Sequence, residues 1–281
     1  VKGDGLKRFV KWSQHGFLCF FIVLLFLPIY LALVAASHDS QAMMHAPLPV
    51  WLGTHLFSNL YTVFFMGTSA TGSVPVYHLL WNSFVMALLI AAGKIAVALC
   101  SAFSLVYFDF PFKKIAYVLI FSTMMLPVEV RIVPTFQVVA SLGWLNHFSG
   151  LTLPLMASAT ATFLFRQFFK TVPQYLVEAA KLDGAGPFRF FWDILLPLSR
   201  PQMAAMFVIL FVYGWNQYLW PLVITTDSEM TTVVMGIRNM AGVADQIPQW
   251  QYIMATALIA LLPPCLVVIV LRRWFERGLG E

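Results

Sequence analysis

A chain of 281 residues with 60% hydrophobic and only 10% charged residues cannot cover its own surface with polar side chains, which excludes an ordinary water-soluble domain. The net charge of +5 needs no nucleic acid to explain it and reports instead a bias of basic residues towards one side of a membrane. Cys19, Cys100 and Cys265 all fall in apolar runs, where they are expected to be inert packing residues, and no disulfide is predicted.

The chain opens with Lys2, Lys7, Arg8 and Lys11, followed by an apolar run from about Phe17 to Ala36. That run is too long for a signal-peptide core and lacks a small-residue cleavage site, so it is expected to be an uncleaved first span. Residues 37–78 form the longest polar interval, within which Leu56 to Met66 is expected to make a short helix along the outer surface. A second span is expected over about 79–107, and a third over about 115–140, interrupted by Pro127 and Pro134. The fourth covers about 150–169, the fifth about 202–225 and the sixth about 252–271. The fold class predicted is therefore all-α, a polytopic membrane protein with six transmembrane helices.

Six spans put both termini on one side, and the basic residues choose which. Lys113 and Lys114 sit in the turn between the second and third spans. Arg166, Lys170, Lys181, Arg189 and Arg200 surround the loop between the fourth and fifth, and Arg272, Arg273 and Arg277 follow the sixth. The opposite loops hold only Arg238. Both termini and the 173–197 loop are thus expected to be cytoplasmic.

That loop, QYLVEAAKLDGAGPFRFFWDILLP over residues 174–197, is neither long nor apolar enough to cross a bilayer. Pro173 suits the first turn of one short helix, and Gly184 suits its left-handed C-cap. Pro187 suits the start of a second short helix, which Pro197 is expected to end. The loop reads as a helix–turn–helix with its elbow at Gly184, Ala185 and Gly186. The bland alternative is an amphipathic hairpin on the inner leaflet.

The residues Glu178, Ala179, Ala180, Asp183, Gly184, Ile194, Leu196 and Pro197, at their spacing, resemble the EAA signature of permease subunits in bacterial ABC importers. The stretches 124–135, 150–169 and 213–221 extend the resemblance to the carbohydrate-uptake group of these permeases, and within it to permeases for sn-glycerol-3-phosphate. The resemblance implies the MetI-like fold of type I importers, with alternating access as mechanism. It implies that residues 173–197 form coupling helices that dock in a cleft of a cytoplasmic ATPase. A second homologous permease, two ATPase copies and a periplasmic solute-binding protein are the implied partners. A permease for a neutral sugar or oligosaccharide of the same group remains the alternative.

The chain lacks a G-x-x-x-x-G-K-[ST] phosphate loop, so ATP and Mg are expected on the ATPase, with no cofactor or metal on this chain. H-E-x-x-H and G-x-S-x-G are also absent, and the six His are scattered, which argues against a polytopic membrane enzyme. No internal repeat supports a stand-alone secondary transporter.

Charges within apolar spans are costly and are functional candidates for that reason. Lys94 lies midway along the second span, and Glu129 and Arg131 lie beyond Pro127 in the third. Two roles fit Lys94 and Glu129: an ion pair that locks helices, or lining of the translocation pathway. Arg131, two residues from Glu129, is expected on another face and is the better candidate to touch an anionic solute. In the fifth span, Trp215, Asn216, Gln217 and Tyr218 join the candidate pathway, while Trp220 is expected in an aromatic belt near the outer face.

Overall fold

The computed structural model describes residues 2–125, 128–242 and 248–279. The described residues are helical or irregular, with no strand among them. Two compact units divide the chain, one of Val1–Tyr77 with Ile237–Leu261 and one of His78–Gly236 with Leu262–Glu281.

In the first unit, α1 (Lys2–Ala36) keeps Pro28 inside it and exposes its large apolar side chains from Phe17 to Leu31. A helix bare over that length suits hydrocarbon rather than water. Among its described side chains only those of the last turn are buried, at Val34, Ala35 and Ala36. That end leaves carbonyls without intrahelical partners, and the following loop supplies them. Asn59 Nδ2 donates to Ala36 O at 2.9 Å and to His38 O at 2.8 Å, while Ser37 Oγ donates to Val34 O at 2.6 Å. Gly53 N returns to Ser37 Oγ at 2.7 Å. Asn59 belongs to α2 (Leu56–Tyr61), which runs on into a π-helical turn at Thr62–Met66, so the short helix expected over residues 56–66 is present.

The second unit is built on α3 (Val76–Tyr107), the long helix whose polar side chains hold distant backbone. Asn82 Nδ2 donates to Glu229 O at 2.6 Å and to Thr231 O at 3.1 Å, and Ser83 Oγ accepts from Val233 N at 2.8 Å. Around it come α4 (Lys113–Ser122), α5 (Val128–Ser141), α6 (Phe148–Thr152) and α7 (Ala159–Thr171). A 3-10 turn at Leu153–Leu155 extends α6. The loop expected to be cytoplasmic forms α8 (Gln174–Leu182) and α9 (Pro187–Phe190), a π turn at Phe191–Leu195, and α10 (Leu196–Leu198). After it come α11 (Arg200–Trp215) and α12 (Leu219–Ile224), and then α13 (Val233–Ala241) and α14 (Trp250–Leu279), each of which has residues in both units. Met86, Ile90, Val139, Leu151, Leu155, Trp220 and Ile224 form a buried cluster. An ideal Cβ on Gly214 would lie 2.9 Å from Ala87 Cα, so α11 and α3 approach backbone to backbone there.

Lys11–Ala36, Val76–Tyr107 and Trp250–Arg272 are each long and apolar enough to cross a bilayer, and three bent helix pairs raise the number of candidate spans to six. The breaks differ from the expected ones. Pro134 does not interrupt the third span but lies inside α5. Its missing N–H removes one backbone bond, and the adjacent Thr135 Oγ1 donates to Arg131 O at 2.6 Å. Pro127 lies outside the described residues. The fourth expected span is not continuous, because α6 with its 3-10 extension meets α7 at 49°. The fifth is not continuous either: α11 ends at Trp215, with Asn216 as its C-cap, and α12 starts at Leu219. All three cysteines are exposed and free rather than packed, each on an outward face of its helix.

Candidate functional site

The elbow forms because two residues demand it. Gly184 has φ +71°, a conformation open to glycine and strained for most others. With Asp183 at the C-cap, Gly184 N donates to Lys181 O at 3.1 Å and Ala185 N to Ala180 O at 2.9 Å. These two bonds form a Schellman motif, which satisfies the last carbonyls of α8. Pro187 then occupies the first position of α9, with Gly186 as N-cap. Two details depart from expectation. Pro173 caps α8 from outside in extended conformation, and Pro197 sits in the first turn of α10 rather than ending a helix. That turn continues to Ser199, whose Oγ donates to Leu195 O at 2.6 Å.

One face of this hairpin is packed and the other is bare. Phe190, Phe191 and Leu195 are buried. Phe190 meets Tyr107 edge-on at 5.2 Å, and Phe191 lies 4.9 Å from Phe103, so the hairpin grips the end of α3. Ala180 is buried as well. Glu178, Ala179, Asp183 and Gly184 are exposed, and Gln174 Nε2 reaches Glu178 Oε1 at 3.0 Å. Around them Leu182 is 89% exposed, Phe188 76%, Tyr175 66% and Trp192 62%. Bare large apolar side chains of this kind suit contact with a protein or a membrane surface. Ile194, Leu196 and Pro197 are half-buried at its base.

A cavity of about 600 Å³ lies in the same unit, walled by α3, α5, α7 and α11. Lys94, Arg131 and Tyr213 all line it, and so does the start of α7 at Ser158, Ala159 and Thr160. A recess of about 40 Å³ shares Lys94, Arg131 and Tyr213 and adds Ile132 and Thr135. Lys94 is 6% exposed, and its Nζ rests 3.7 Å from the centre of the Tyr213 ring. A cation over an aromatic face is held without hydrogen bonds and keeps its donors available. Arg131, by contrast, is exposed into the cavity. The structure therefore brings Lys94 and Arg131 to one site, although they lie on different helices. The expected pairing of Lys94 with Glu129 concerns a side chain outside the described residues.

The aromatic and amide candidates of the fifth span are placed elsewhere. Trp215 is 3% exposed and stacked on Phe211 at 6.0 Å, so it is core rather than cavity wall. Asn216 and Gln217 close the end of α11: Asn216 N donates to Val212 O at 3.1 Å and Gln217 Nε2 to Tyr213 O at 3.2 Å. Tyr218 is half-buried at the start of α12. Trp220 is not in a belt. It is buried in the core, where its Nε1 donates to Gly150 O at 3.1 Å. Tyr213, one turn before these residues, was not distinguished by sequence reasoning; its i+4 neighbour Gln217 was. Its only signal was a tyrosine inside an apolar run.

Three comparisons place the chain among known proteins. The family model described as "Binding-protein-dependent transport system inner membrane component" matches residues 94–281. The chain is 51% identical, over 95% of both chains, to the sn-glycerol-3-phosphate transport system permease protein UgpE of Brucella melitensis. It is 52% identical to the protein of the same name from Yersinia pestis, again over 95% of both. The crystal structure of a bacterial ABC transporter involved in import of the acidic polysaccharide alginate contains a chain of the same fold, with TM-score 0.81 at 17% identity. That likeness covers 95% of this chain and 97% of the other.

Proposed function

The chain belongs to the family of binding-protein-dependent transport system inner membrane components, and on that premise we propose that it is one half of the membrane pathway of an ATP-driven importer for sn-glycerol-3-phosphate or a related glycerophosphodiester. The chain is a transport component rather than a catalyst. The observation that carries the substrate class is the cavity shared by Lys94 and Arg131. Two cations within apolar helices are expensive to keep dry, and an anionic solute passing between them offsets that expense. A neutral sugar gains little from either. The named relatives support the same class.

A second, homologous permease would complete the pathway, two ATPase subunits would sit beneath it, and a periplasmic binding protein would deliver the solute. Glu178, Ala179, Ala180, Asp183, Gly184, Ile194, Leu196 and Pro197 form the hairpin proposed to enter the ATPase cleft. The bare Leu182, Phe188 and Trp192 supply the apolar area for that contact. The grip of Phe190 and Phe191 on Tyr107 and Phe103 offers a rigid route from the hairpin into α3, the helix that carries Lys94. ATP-driven closure of the ATPases would thus tilt the wall of the cavity and alternate its access. A cytoplasmic side for both termini and the hairpin is supported by Lys113, Lys114, Lys170, Lys181, Arg189 and Arg200, which lie in the loops that six spans would put together.

The test uses the purified assembly of both permeases and the ATPases. Binding protein loaded with sn-glycerol-3-phosphate should stimulate ATP hydrolysis, and binding protein offered maltose should not. Stimulation by the neutral sugar alone would overturn the anionic reading.

A further inference from the structure

We propose that the phosphate group of the solute is seated at the N-terminus of α7, between Lys94 and Arg131, a site created by the break between α6 and α7. This rests on the reading of the chain as a glycerophosphate permease and specifies where that solute is held.

A continuous helix through residues 150–169 would spend every backbone donor on itself. The break leaves the first N–H groups of α7 open, and α7 is long enough, at 13 residues, to carry a helix dipole. Ser158, the N-cap, is extended with φ −146° and ψ 108°. Its Oγ accepts from Ala161 N at 3.3 Å and its carbonyl from Thr162 N at 3.1 Å. The N–H groups of Ala159 and Thr160 have no partner among the described residues. Both residues line the cavity. Ala159 is half-buried and Thr160 exposed, so both donors are accessible from the cavity, and open donors at a membrane-embedded site favour a ligand or water that fills them.

The second observation is independent of the helix end. Lys94, on α3, is buried yet lines this same cavity, and among the described residues its Nζ has only the Tyr213 ring beneath it. Arg131, on α5, completes the wall with a planar fork suited to two phosphate oxygens. Backbone N–H groups at a helix start, an ammonium and a guanidinium, from three different helices, make one concave set of donors of a single sign. No carboxylate lines the cavity among the described residues. An anion with several acceptor oxygens fits this set, and a tetrahedral phosphate ester uses more of its donors than a planar carboxylate does.

The geometry also provides a clean perturbation. Proline is favoured at the first position of a helix and requires an extended residue before it, which Ser158 already is. Ala159→Pro therefore removes one donor from the seat and leaves α7 intact. Ala159→Gly keeps the donor and serves as control. The measurement is equilibrium binding of radiolabelled sn-glycerol-3-phosphate to the purified complex without binding protein. Inorganic phosphate and glycerol are the competitors.

The expected result is displacement by phosphate but not glycerol. Affinity should fall by about fivefold to twentyfold in Ala159→Pro and by at least that in Arg131→Gln, and stay near wild type in Ala159→Gly. Should Ala159→Pro fail to assemble, Arg131→Gln with the phosphate competition decides the matter. Wild-type affinity in both donor-removing variants overturns the seat while leaving the substrate assignment standing. Absence of ester binding and uptake by the wild-type complex overturns the assignment itself. A lipid headgroup is the other source of this chemistry: binding seen in detergent but abolished in phosphatidylglycerol nanodiscs would make the seat a lipid site and overturn the proposal.

Discussion

Gly184→Val is the substitution that separates a coupling elbow from a passive surface hairpin. Gly184 holds φ +71°, and an ideal Cβ there finds nothing within 4 Å, so the penalty is backbone strain and not a clash within this chain. Placing an L side chain in the left-handed region costs roughly 1–2 kcal/mol, a factor of about 5–30 in the ratio of the native elbow to its relaxed alternatives. Valine adds a branched Cβ that disfavours this region further, alanine carries the bare penalty, and asparagine tolerates the conformation best. Gly186 is the internal control, because its φ of −70° is open to any residue and nothing lies within 4 Å of its Cβ position. The assay is uptake and solute-stimulated ATPase activity of the reconstituted complex, with assembly followed by size-exclusion chromatography. Gly184→Asn should lose least, Gly184→Ala several-fold, and Gly184→Val nearly all of both activities together, in complexes that still assemble. Gly186→Ser should stay near wild type. Wild-type uptake in Gly184→Val, or equal damage at both glycines, would refute the elbow as the coupling element.

Other expectations are more local. Trp220→Phe leaves the buried Gly150 carbonyl without the Nε1 donor 3.1 Å away, and should lower the stability of the complex by about 1–3 kcal/mol, read as a fall in melting temperature. Gly214→Ala should be clearly destabilising in the same assay, because its Cβ meets Ala87 backbone at 2.9 Å. Gly93→Ala should be milder, since the nearest atoms its Cβ meets are Met156 Cγ and Sδ, which a change of rotamer moves. A green fluorescent protein fused to the C-terminus should fluoresce and an alkaline phosphatase fused there should be inactive; the reverse would invert the orientation assigned from basic residues.

Legibility in the sequence followed the strength of local chemistry. Gly184 and Pro187 announced the elbow because few other residues serve at a left-handed C-cap or a first helical position. Lys94 and Arg131 stood out because charges are rare within apolar runs. Their convergence from α3 and α5 on one cavity depends on tertiary packing, which spacing along the chain does not encode. The breaks at residues 156–158 and 216–218 were hidden for a related reason. Met156 and Ala157 keep the first break apolar, the amides Asn216 and Gln217 are too few to end an otherwise apolar run at the second, and hydropathy registers depth in the membrane, not backbone continuity. Trp220 shows the limit of the aromatic-belt rule: a tryptophan whose N–H finds a carbonyl inside the protein has no need of the interface. Asn82 and Ser83 carried no local signal, because the backbone they hold lies some 150 residues away, at Glu229, Thr231 and Val233.

The most direct measurement is solute uptake by proteoliposomes holding this chain, its partner permease, the ATPases and the loaded binding protein, with ATP enclosed and radiolabelled solutes offered outside. The expected result is ATP-dependent accumulation of sn-glycerol-3-phosphate, absent when ATP is omitted or when this chain is left out of the assembly. Accumulation of maltose with no uptake of the phosphate ester, or ester uptake that persists without this chain, would contradict its assignment as the glycerophosphate permease half.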